Sequence, residues 1–377
     1  MKRFVRIQRA AAFVVMLSLM ASLASAQDWP WANTATNGFR QLARTVSVPP
    51  ASEARPLLGP DKHPHAAQVP DFDDLIGRNK AKAILIADAK GLLAESYGFG
   101  VSARRTPLGF SMSKSLTALA VGHALCDGSI KTLEDPLEKY VPETTGTSWG
   151  RASIHDLLRM SSGAHPTAST GHKFGDPDSV LGRAILEGTM HEAFIDTMKR
   201  QDEMYRPPGA VFQYNNLDTT ALAMLVTATS GETFESYFAR KVWHPSGAAS
   251  KGAWVVNNRG EVSAYQGFSA TPHDWIRLGL YVLEQIEQTE TCFGRFLQTA
   301  TSRQIAAFGA SNEYGYQIWV RCGPAIDFCF AGHGGQYLFF NRQHGIVIYQ
   351  HATNQRLGSE GLRALMPPLI AALPSNR

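Results

Sequence analysis

Runs of apolar residues predict strands near both ends of the chain. KAILIAD at 82–88 and LLAESYG at 92–98 are joined by Ala89-Lys90-Gly91 and predict a hairpin of apolar strands. Strand-like runs return late in the sequence, as YGYQIWVR, IDFCFAG, QYLFFN and GIVIYQH. We therefore expect one antiparallel sheet to which both ends of the chain contribute.

The long middle stretch has helical patterns with defined ends. The first helical segment, SMSKSLTALAVGHAL, begins at Ser111. A Ser cap begins the helix at 153–160, a Gly ends the helix at 217–231, and a Thr cap followed by Pro begins the helix at 271–285. A closing helix, SEGLRALMPPLIAAL, is expected to be interrupted by Pro367-Pro368. The pattern indicates an α+β fold in which a helical subdomain, about 130–285, interrupts the sheet and leaves a cleft beside it.

The N-terminus has the composition of an export signal. Four basic residues precede a short apolar run, and Ala24-Ser25-Ala26 is a small-residue cleavage site. The run is short for a membrane span, so we expect a signal peptide at 1–26, a periplasmic protein and no stable membrane anchor. Pro-rich stretches predict an irregular arm at 27–74, followed by the main domain at 75–377.

Charge and cysteine content narrow the function classes. The net charge of +4 comes from the leader, because removing its four basic residues leaves equal numbers of basic and acidic side chains. The mature chain is therefore not expected to bind nucleic acid.

Cys322 and Cys329 flank a turn and form either a hairpin disulfide or two buried thiols. No zinc-type cysteine spacing occurs, and we expect no cofactor.

The SMSKS segment carries the candidate chemistry. Ser111 is a weak nucleophile unless a base lies within hydrogen-bond reach. Lys114 follows at i+3, so on a helix both side chains share one face. The apolar residues that follow favour burial, which would lower the pKa of Lys114 and make its amine a base. This SxxK occurs once, as do the YxN at Tyr214 and the HxG at His333.

Together these motifs resemble the serine beta-lactamase-like, penicillin-recognising hydrolases. Three further phrases match that family's pattern over roughly residues 75–370: SIHDLLRMSSG, RPPGAVFQYNN and SATPHDWIRLG. The resemblance implies a beta-lactamase-like domain with an antiparallel sheet, flanking helices and an inserted helical subdomain. It also implies hydrolysis through an acyl-enzyme.

Carried over to this chain, the resemblance makes Ser111 the acylated nucleophile and Lys114 its base. Tyr214 would pass a proton to the leaving group and later help to activate water, and Asn216 would orient Lys114 and the substrate. The substrate would lie against His333, Gly334, Gly335 and Gln336, and the backbone N–H groups of Ser111 and Gln336 would form the oxyanion hole.

The substrate is expected to be a small ester or amide. Beta-lactamases and D-alanyl-D-alanine peptidases usually carry a lysine where this chain has His333, which is mostly neutral at pH 7. The loop at 163–179 lacks the tyrosine that nylon-oligomer hydrolases use, so nylon-dimer activity is not implied. A peptidase or beta-lactamase, and a non-catalytic binding module on the same fold, remain the alternatives. The sequence leaves the oligomeric state open.

Other potentially catalytic residues are interpreted as structural. GFSMS at 109–113 lacks the last glycine of a GxSxG elbow. His155 and Asp156 are expected to form a helix surface pair, and His165 and His172 to be solvated loop residues. Phe268, Trp275 and Tyr281 are expected to pack in the core.

Overall fold

The computed structural model describes residues 44–77, 81–165, 192–308, 312–352 and 355–373. The predicted signal peptide and His172 lie outside these ranges. Within them, the strands are β1 Thr45–Val48, β2 Ala81–Asp88, β3 Gly91–Tyr97, β4 Gly252–Val255, β5 Phe268–Ser269, β6 Ile305–Ala306, β7 Glu313–Tyr314, β8 Trp319–Gly323, β9 Ile326–Gly332, β10 Gln336–Asn341 and β11 Ile346–Ala352.

Eight of these strands form one antiparallel sheet with the order β3-β2-β11-β10-β9-β8-β7-β6. Strand β2 pairs directly with β11, so that Ile86 lies opposite Ile348. The prediction that both ends of the chain contribute to one antiparallel sheet is therefore confirmed. YGYQIWVR is not one strand, because Gln317 adopts a positive φ of 56° and separates β7 from β8.

A second sheet of three strands, ordered β1-β4-β5, lies outside the sequence prediction. Its first strand belongs to the arm that was expected to be irregular, and the other two belong to the segment that was expected to be helical. Val48 is fully buried, which explains why this short part of the arm pairs with β4. Strands of two to four residues are too short to produce a recognisable alternation.

The helices predicted from Ser111 and at 153–160, 217–231 and 271–285 are observed close to those positions, among nine α-helices of the described residues. The nine are α1 Met112–Cys126, α2 Ser148–Arg151, α3 Ile154–Leu158, α4 Phe194–Arg200, α5 Asn216–Ser230, α6 Phe234–Phe238, α7 Pro272–Ile286, α8 Cys292–Ala300 and α9 Gln355–Ala372. Ser153 and Thr271 cap α3 and α7 through their side chains, and Gly231 ends α5 in the left-handed conformation. In the part of the chain that the structure describes, no helix is both long and apolar enough to span a membrane.

The closing helix differs from the prediction, because α9 continues through Pro367 and Pro368. A proline inside a helix removes a hydrogen bond and costs roughly 3 kcal/mol. The helix buries Leu362, Met366 and Leu369 against the sheet, and burial of each such side chain contributes about 1.5–3 kcal/mol. Tertiary packing therefore offsets the local penalty.

Two apolar cores lie on opposite faces of the large sheet. α9 packs on one face, next to Ile346 and Ile348, while α1 and α7 pack on the other face, next to Val347 and Tyr349. Phe268, Trp275 and Tyr281 are all buried in this second core, as expected. α1 therefore runs through the interior of the molecule, between the sheet and α5.

Two disulfides cross-link these elements. Cys322 and Cys329 are bonded across the β8–β9 turn, so of the two alternatives for this pair the disulfide is the one observed. Cys126 and Cys292 join the C-terminal end of α1 to the start of α8. The second bridge holds the far end of the helix that begins beside Ser111.

Candidate active site

The interior position of α1 buries its lysine. Every residue from Met112 to Val121 is buried, and Lys114 is only 1% exposed. Burial lowers the pKa of the Lys114 amine well below its usual range, because the charged form loses its hydration. A neutral amine has a free electron pair and can accept a proton.

Lys114 faces the nucleophile candidate directly. Its Nζ lies 3.1 Å from Ser111 Oγ and donates a 2.9 Å hydrogen bond to the carbonyl oxygen of Tyr265. The same nitrogen is 4.8 Å from the centre of the Tyr214 ring. One side of the amine is thus anchored on backbone, and the other side is directed at the Ser111 hydroxyl.

Tyr214 completes this group of three side chains. Its hydroxyl is hydrogen-bonded to Ser111, and burial raises the pKa of the phenol above its ordinary value. The phenol therefore remains protonated near neutral pH and can donate its hydrogen. The structure brings Ser111, Lys114 and Tyr214 together, although Tyr214 is about a hundred residues away in the sequence.

The loop that carries Tyr214 is held by the turn after α3. Gln213 N–H donates to the Met160 carbonyl at 2.6 Å, and Asn215 Nδ2 donates to the His165 carbonyl at 3.0 Å. Asn215 Oδ1 also caps α5 by accepting from Leu217 N–H. The residues on either side of SSG, Met160 and His165, therefore hold the segment that carries Tyr214.

Asn216 is placed next to this group by the start of α5. It is the first residue of that helix, and its side chain is largely buried. α5 packs on α1, the helix of Lys114. The residue expected to orient Lys114 therefore lies on a neighbouring helix, two positions after Tyr214.

The HGG turn borders the nucleophile from the sheet side. His333, Gly334 and Gly335 form the short connection between β9 and β10, and both glycines have positive φ, at 76° and 92°. The His333 ring packs edge-on against Phe110, with 5.9 Å between ring centres. His333 is exposed to solvent. The protein around its ring nevertheless removes part of the ring's hydration, and this lowers the pKa of His333.

Gln336 follows the turn, with its side chain directed away from the cleft. The side chain is 1% exposed and donates to the carbonyl of Ala352 on β11. A substrate could therefore meet only the backbone of this residue. On the opposite side, Phe110 adopts a positive φ of 49°, an uncommon conformation for a residue with a side chain.

An aromatic wall, which no sequence pattern predicted, extends from Tyr214. It consists of Phe212, Tyr214, Phe308, Tyr314 and Trp319. Trp319 stacks on Tyr214 with 6.0 Å between ring centres, and Phe308 at the outer end is 52% exposed. The wall presents apolar surface beside the Tyr214 hydroxyl.

Asp218 is a buried titratable group near the site that no sequence pattern indicated. It is fully buried on α5, and its Oδ1 accepts hydrogen bonds from Trp149 Nε1 at 3.0 Å and Ser162 Oγ at 2.7 Å. Burial raises the pKa of the carboxyl to about 7. Asp218 thus ties α5 to the segment that holds the Tyr214 loop.

The interpretation of His155 and Asp156 as a surface pair is wrong. Asp156 is 9% exposed and accepts hydrogen bonds from Ser153 and Arg159, while the His155 ring is hydrogen-bonded to the Tyr316 hydroxyl at 2.8 Å. The helix is only five residues long, so most of its surface faces other elements.

Across the described residues, no group of three or more His, Cys, Asp and Glu side chains could hold a metal ion.

Comparison with known proteins was made for sequence and for fold. The Beta-lactamase family model matches residues 71–366. A 6-aminohexanoate-dimer hydrolase from Paenarthrobacter ureafaciens is 26% identical over 278 residues, which cover 70% of this chain and 67% of that protein. Ser111, Tyr214 and His333 all lie within residues 71–366.

Two solved structures have the same fold. A protein from Bacillus anthracis described as a 6-aminohexanoate-dimer hydrolase superposes with a TM-score of 0.75 at 21% identity, covering 92% of this chain and 94% of its own. EstCE1, described as a hydrolase with promiscuous acyltransferase activity, superposes with a TM-score of 0.59 at 14% identity, covering 76% and 93%. At these identities the similarity establishes the beta-lactamase-like α+β fold.

Proposed function

The chain belongs to the beta-lactamase family, a family of hydrolases, and on that premise we propose that it is an exported serine hydrolase. It would cleave a carboxylic ester or amide through an acyl-enzyme on Ser111. The observation that carries this proposal is the buried amine of Lys114, 3.1 Å from Ser111 Oγ. Among the described residues, no acidic side chain is at hydrogen-bond distance from Lys114. Burying a lysine in this way is costly, and a role as base explains it.

Acylation would start with transfer of the Ser111 proton to Lys114. The lowered pKa keeps the amine neutral, so that its free electron pair can accept the hydroxyl hydrogen as Oγ attacks the substrate carbonyl. Tyr214 would then donate its phenol hydrogen to the leaving group. Lys114 can return the acquired proton to Tyr214, because both groups surround the same oxygen.

The negative charge on the substrate oxygen needs backbone donors. We assign this role to the N–H groups of Ser111 and Gln336. Ser111 follows Gly109 and Phe110, which contact the end of β9 and the HGG turn, and Gln336 follows that turn. Deacylation would follow when water attacks the acyl carbonyl: Tyr214 would take the proton of the water while passing its own to Lys114, and Lys114 would return a proton to Ser111 Oγ as the acyl bond breaks. Asn216 would orient Lys114 and the substrate throughout.

The neutral state of His333 supports a substrate without a carboxylate at this position. Beta-lactams and D-alanyl-D-alanine peptides carry one, so a lactamase or peptidase is the alternative rather than the first proposal. The aromatic wall favours a substrate with an apolar group near the reacting bond. The nylon dimer named for two of the related proteins is not carried over, since the loop at 163–179 contains no tyrosine.

Covalent labelling tests the proposal. A fluorophosphonate should add one phosphonyl mass to the protein, and peptide mapping should locate it on the tryptic fragment that contains GFSMSK. Ser111→Ala should abolish the label, while Ser113→Ala, a neighbouring hydroxyl on the same fragment, should retain it. A protein that is folded but takes no label and turns over no ester would instead be a binding module.

A further inference from the structure

Behind the HGG turn, three buried polar side chains of β10 and β11 hold the backbone. Gln350 Nε2 donates a 2.9 Å hydrogen bond to the carbonyl oxygen of Gly335. Gln336 Nε2 donates to the Ala352 carbonyl, and His351 Nδ1 is paired with Gln336 Oε1. None of Gln336, Gln350 and His351 is more than 1% exposed.

One backbone carbonyl determines the donor and acceptor roles of Gln336 and His351. Ala352 O can only accept, so Gln336 must present Nε2 to it and Oε1 to His351. His351 must then donate from Nδ1. Burial lowers the pKa of its ring to about 3, which keeps the ring neutral near physiological pH. This part of the network therefore has a single hydrogen-bonding pattern.

The turn needs such support because of its glycines. Gly334 and Gly335 have positive φ, and glycine backbone rotates with little steric resistance. The peptide that joins Gly335 to Gln336 is trans, so its C=O and N–H point in opposite directions. The hydrogen bond from Gln350 to the carbonyl therefore also fixes the direction of the Gln336 N–H.

Gln350 uses only one end of its amide. Its Oε1 is buried with no hydrogen-bond partner among the described residues, which destabilises the folded state. Its Nε2 donates to the Gly335 carbonyl, and an apolar side chain of similar shape would leave that carbonyl without this donor. What the glutamine supplies, and an apolar side chain cannot, is therefore the hydrogen bond that holds Gly335.

We propose that Gln350 is a positioning residue for the reaction. It holds the HGG turn, and with it the backbone beside Ser111, in the conformation that stabilises the negative charge of the transition state. The turn starts at Gly332, which contacts the Gly109 carbonyl, and it packs on Phe110 through His333. The inference rests on the proposed function, because the positioned donors act only if Ser111 is acylated.

The test compares Gln350→Met with a matched variant at the other end of the same hairpin. Asn341 on β10 is also buried and also donates to a turn carbonyl, that of Ala325, at 2.9 Å. Its Oδ1 also accepts from His344 N–H at 2.8 Å, so Asn341→Leu removes at least as much buried hydrogen bonding as Gln350→Met, but far from the HGG turn. Gln350→Met should lower kcat for a p-nitrophenyl ester about 10- to 100-fold with KM little changed, since loss of a whole oxyanion donor costs roughly 100- to 1,000-fold.

Thermal unfolding must show that both variants are folded at the assay temperature. Equal kcat values for Gln350→Met and Asn341→Leu would overturn the proposal. Failure of the proposed function is distinct, since the wild type itself would then show no Ser111-dependent labelling or turnover.

Gln350→Glu supplies a second variant in case Gln350→Met does not fold. A buried carboxyl favours its protonated form, which can donate to the Gly335 carbonyl as the amide does. At pH 6 this variant should retain a larger fraction of the wild-type fluorophosphonate labelling rate than Gln350→Leu retains. If it retains no more than Gln350→Leu, the donor is not what matters and the proposal is wrong.

Discussion

Gly332 lies so close to Gly109 that a β-carbon on Gly332 would be 2.1 Å from the Gly109 carbonyl oxygen. That oxygen belongs to the turn that presents Ser111, and it also accepts the hydrogen bond of the Met112 N–H at the start of α1. The end of β9 therefore sets the position of the nucleophile relative to the HGG turn.

Gly332→Ala should consequently impair the reaction more than it impairs folding. The added methyl must push the nucleophile loop away from the sheet, and a displacement of about 1 Å can cost on the order of 100-fold in rate. We expect kcat to fall at least tenfold. Gly77→Ala, where a β-carbon would meet no atom within 4 Å, is the control and should leave kcat unchanged. A Gly332→Ala enzyme with normal kcat would show that the loop adapts.

The rate of Ser111 labelling should depend on the protonation state of Lys114. Protonated amine cannot accept the serine proton, so the rate should rise with pH through a pKa well below the ordinary lysine value of 10.5. Lys114→Arg keeps a positive charge at all accessible pH and should lower the rate more than roughly 100-fold. A wild-type profile that is flat from pH 5 to 9, with labelling retained in Lys114→Arg, would exclude the lysine as base.

His333 should control the charge of the accepted substrate. Its lowered pKa means that the ring is neutral at pH 7, so small neutral esters should be turned over faster than penicillins or D-alanyl-D-alanine peptides. His333→Lys should improve kcat/KM for carboxylate-bearing substrates by about tenfold, or roughly 1–2 kcal/mol, and leave neutral esters little changed. A wild type that prefers a penicillin to every simple ester would favour the lactamase or peptidase alternative.

Asp218 should make the protein less stable as pH rises through neutrality. Its folded-state pKa of about 7 exceeds the ordinary value of 3.8, so between these values the folded state binds more protons than the unfolded state. The free energy of unfolding should therefore fall from about pH 4 to 7 and level off above pH 7. Tyr314 and Asp156 are the neighbours that share its electrostatic environment.

Asp218→Asn removes this titration while its amide oxygen can still accept from Trp149 and Ser162. At pH 8 the variant should be more stable than the wild type, by up to a few kcal/mol on the scale of about 1.4 kcal/mol per unit of pKa shift. Urea unfolding at pH 5 and pH 8 measures the effect. A variant that is less stable than wild type at pH 8 would mean that the ionised carboxylate is favourable in this site.

The long strands and helices were predictable because their patterns are strong and local. IDFCFAG and QYLFFN match β9 and β10 residue for residue, since Gly and Asn at their ends coincide with real turns. The short strands of the second sheet and the path of α9 through Pro367 were not predictable. Both depend on distant partners, and tertiary packing decides them.

The candidate site also has a part that the sequence predicts and a part that only the tertiary structure shows. Spacing alone places Ser111 and Lys114 on one face, but it does not indicate that the carbonyl of Tyr265 anchors the amine. A backbone acceptor can come from any residue type, so no motif identifies it. The aromatic wall likewise assembles Phe212, Phe308 and Trp319 from separate segments of the chain.

The pairing of β2 with β11 has a consequence for how the protein matures. Pairing Ile86 with Ile348 requires closure of a very long loop, and such high contact order slows folding. During synthesis, the first hairpin has no central partner strand until the last strand of the sheet has been made. Partly made chains must therefore expose the apolar strand β2, which makes them dependent on chaperones and prone to aggregation. His333 lies between β9 and β10, so the proposed site can form only after most of the polypeptide has been synthesised.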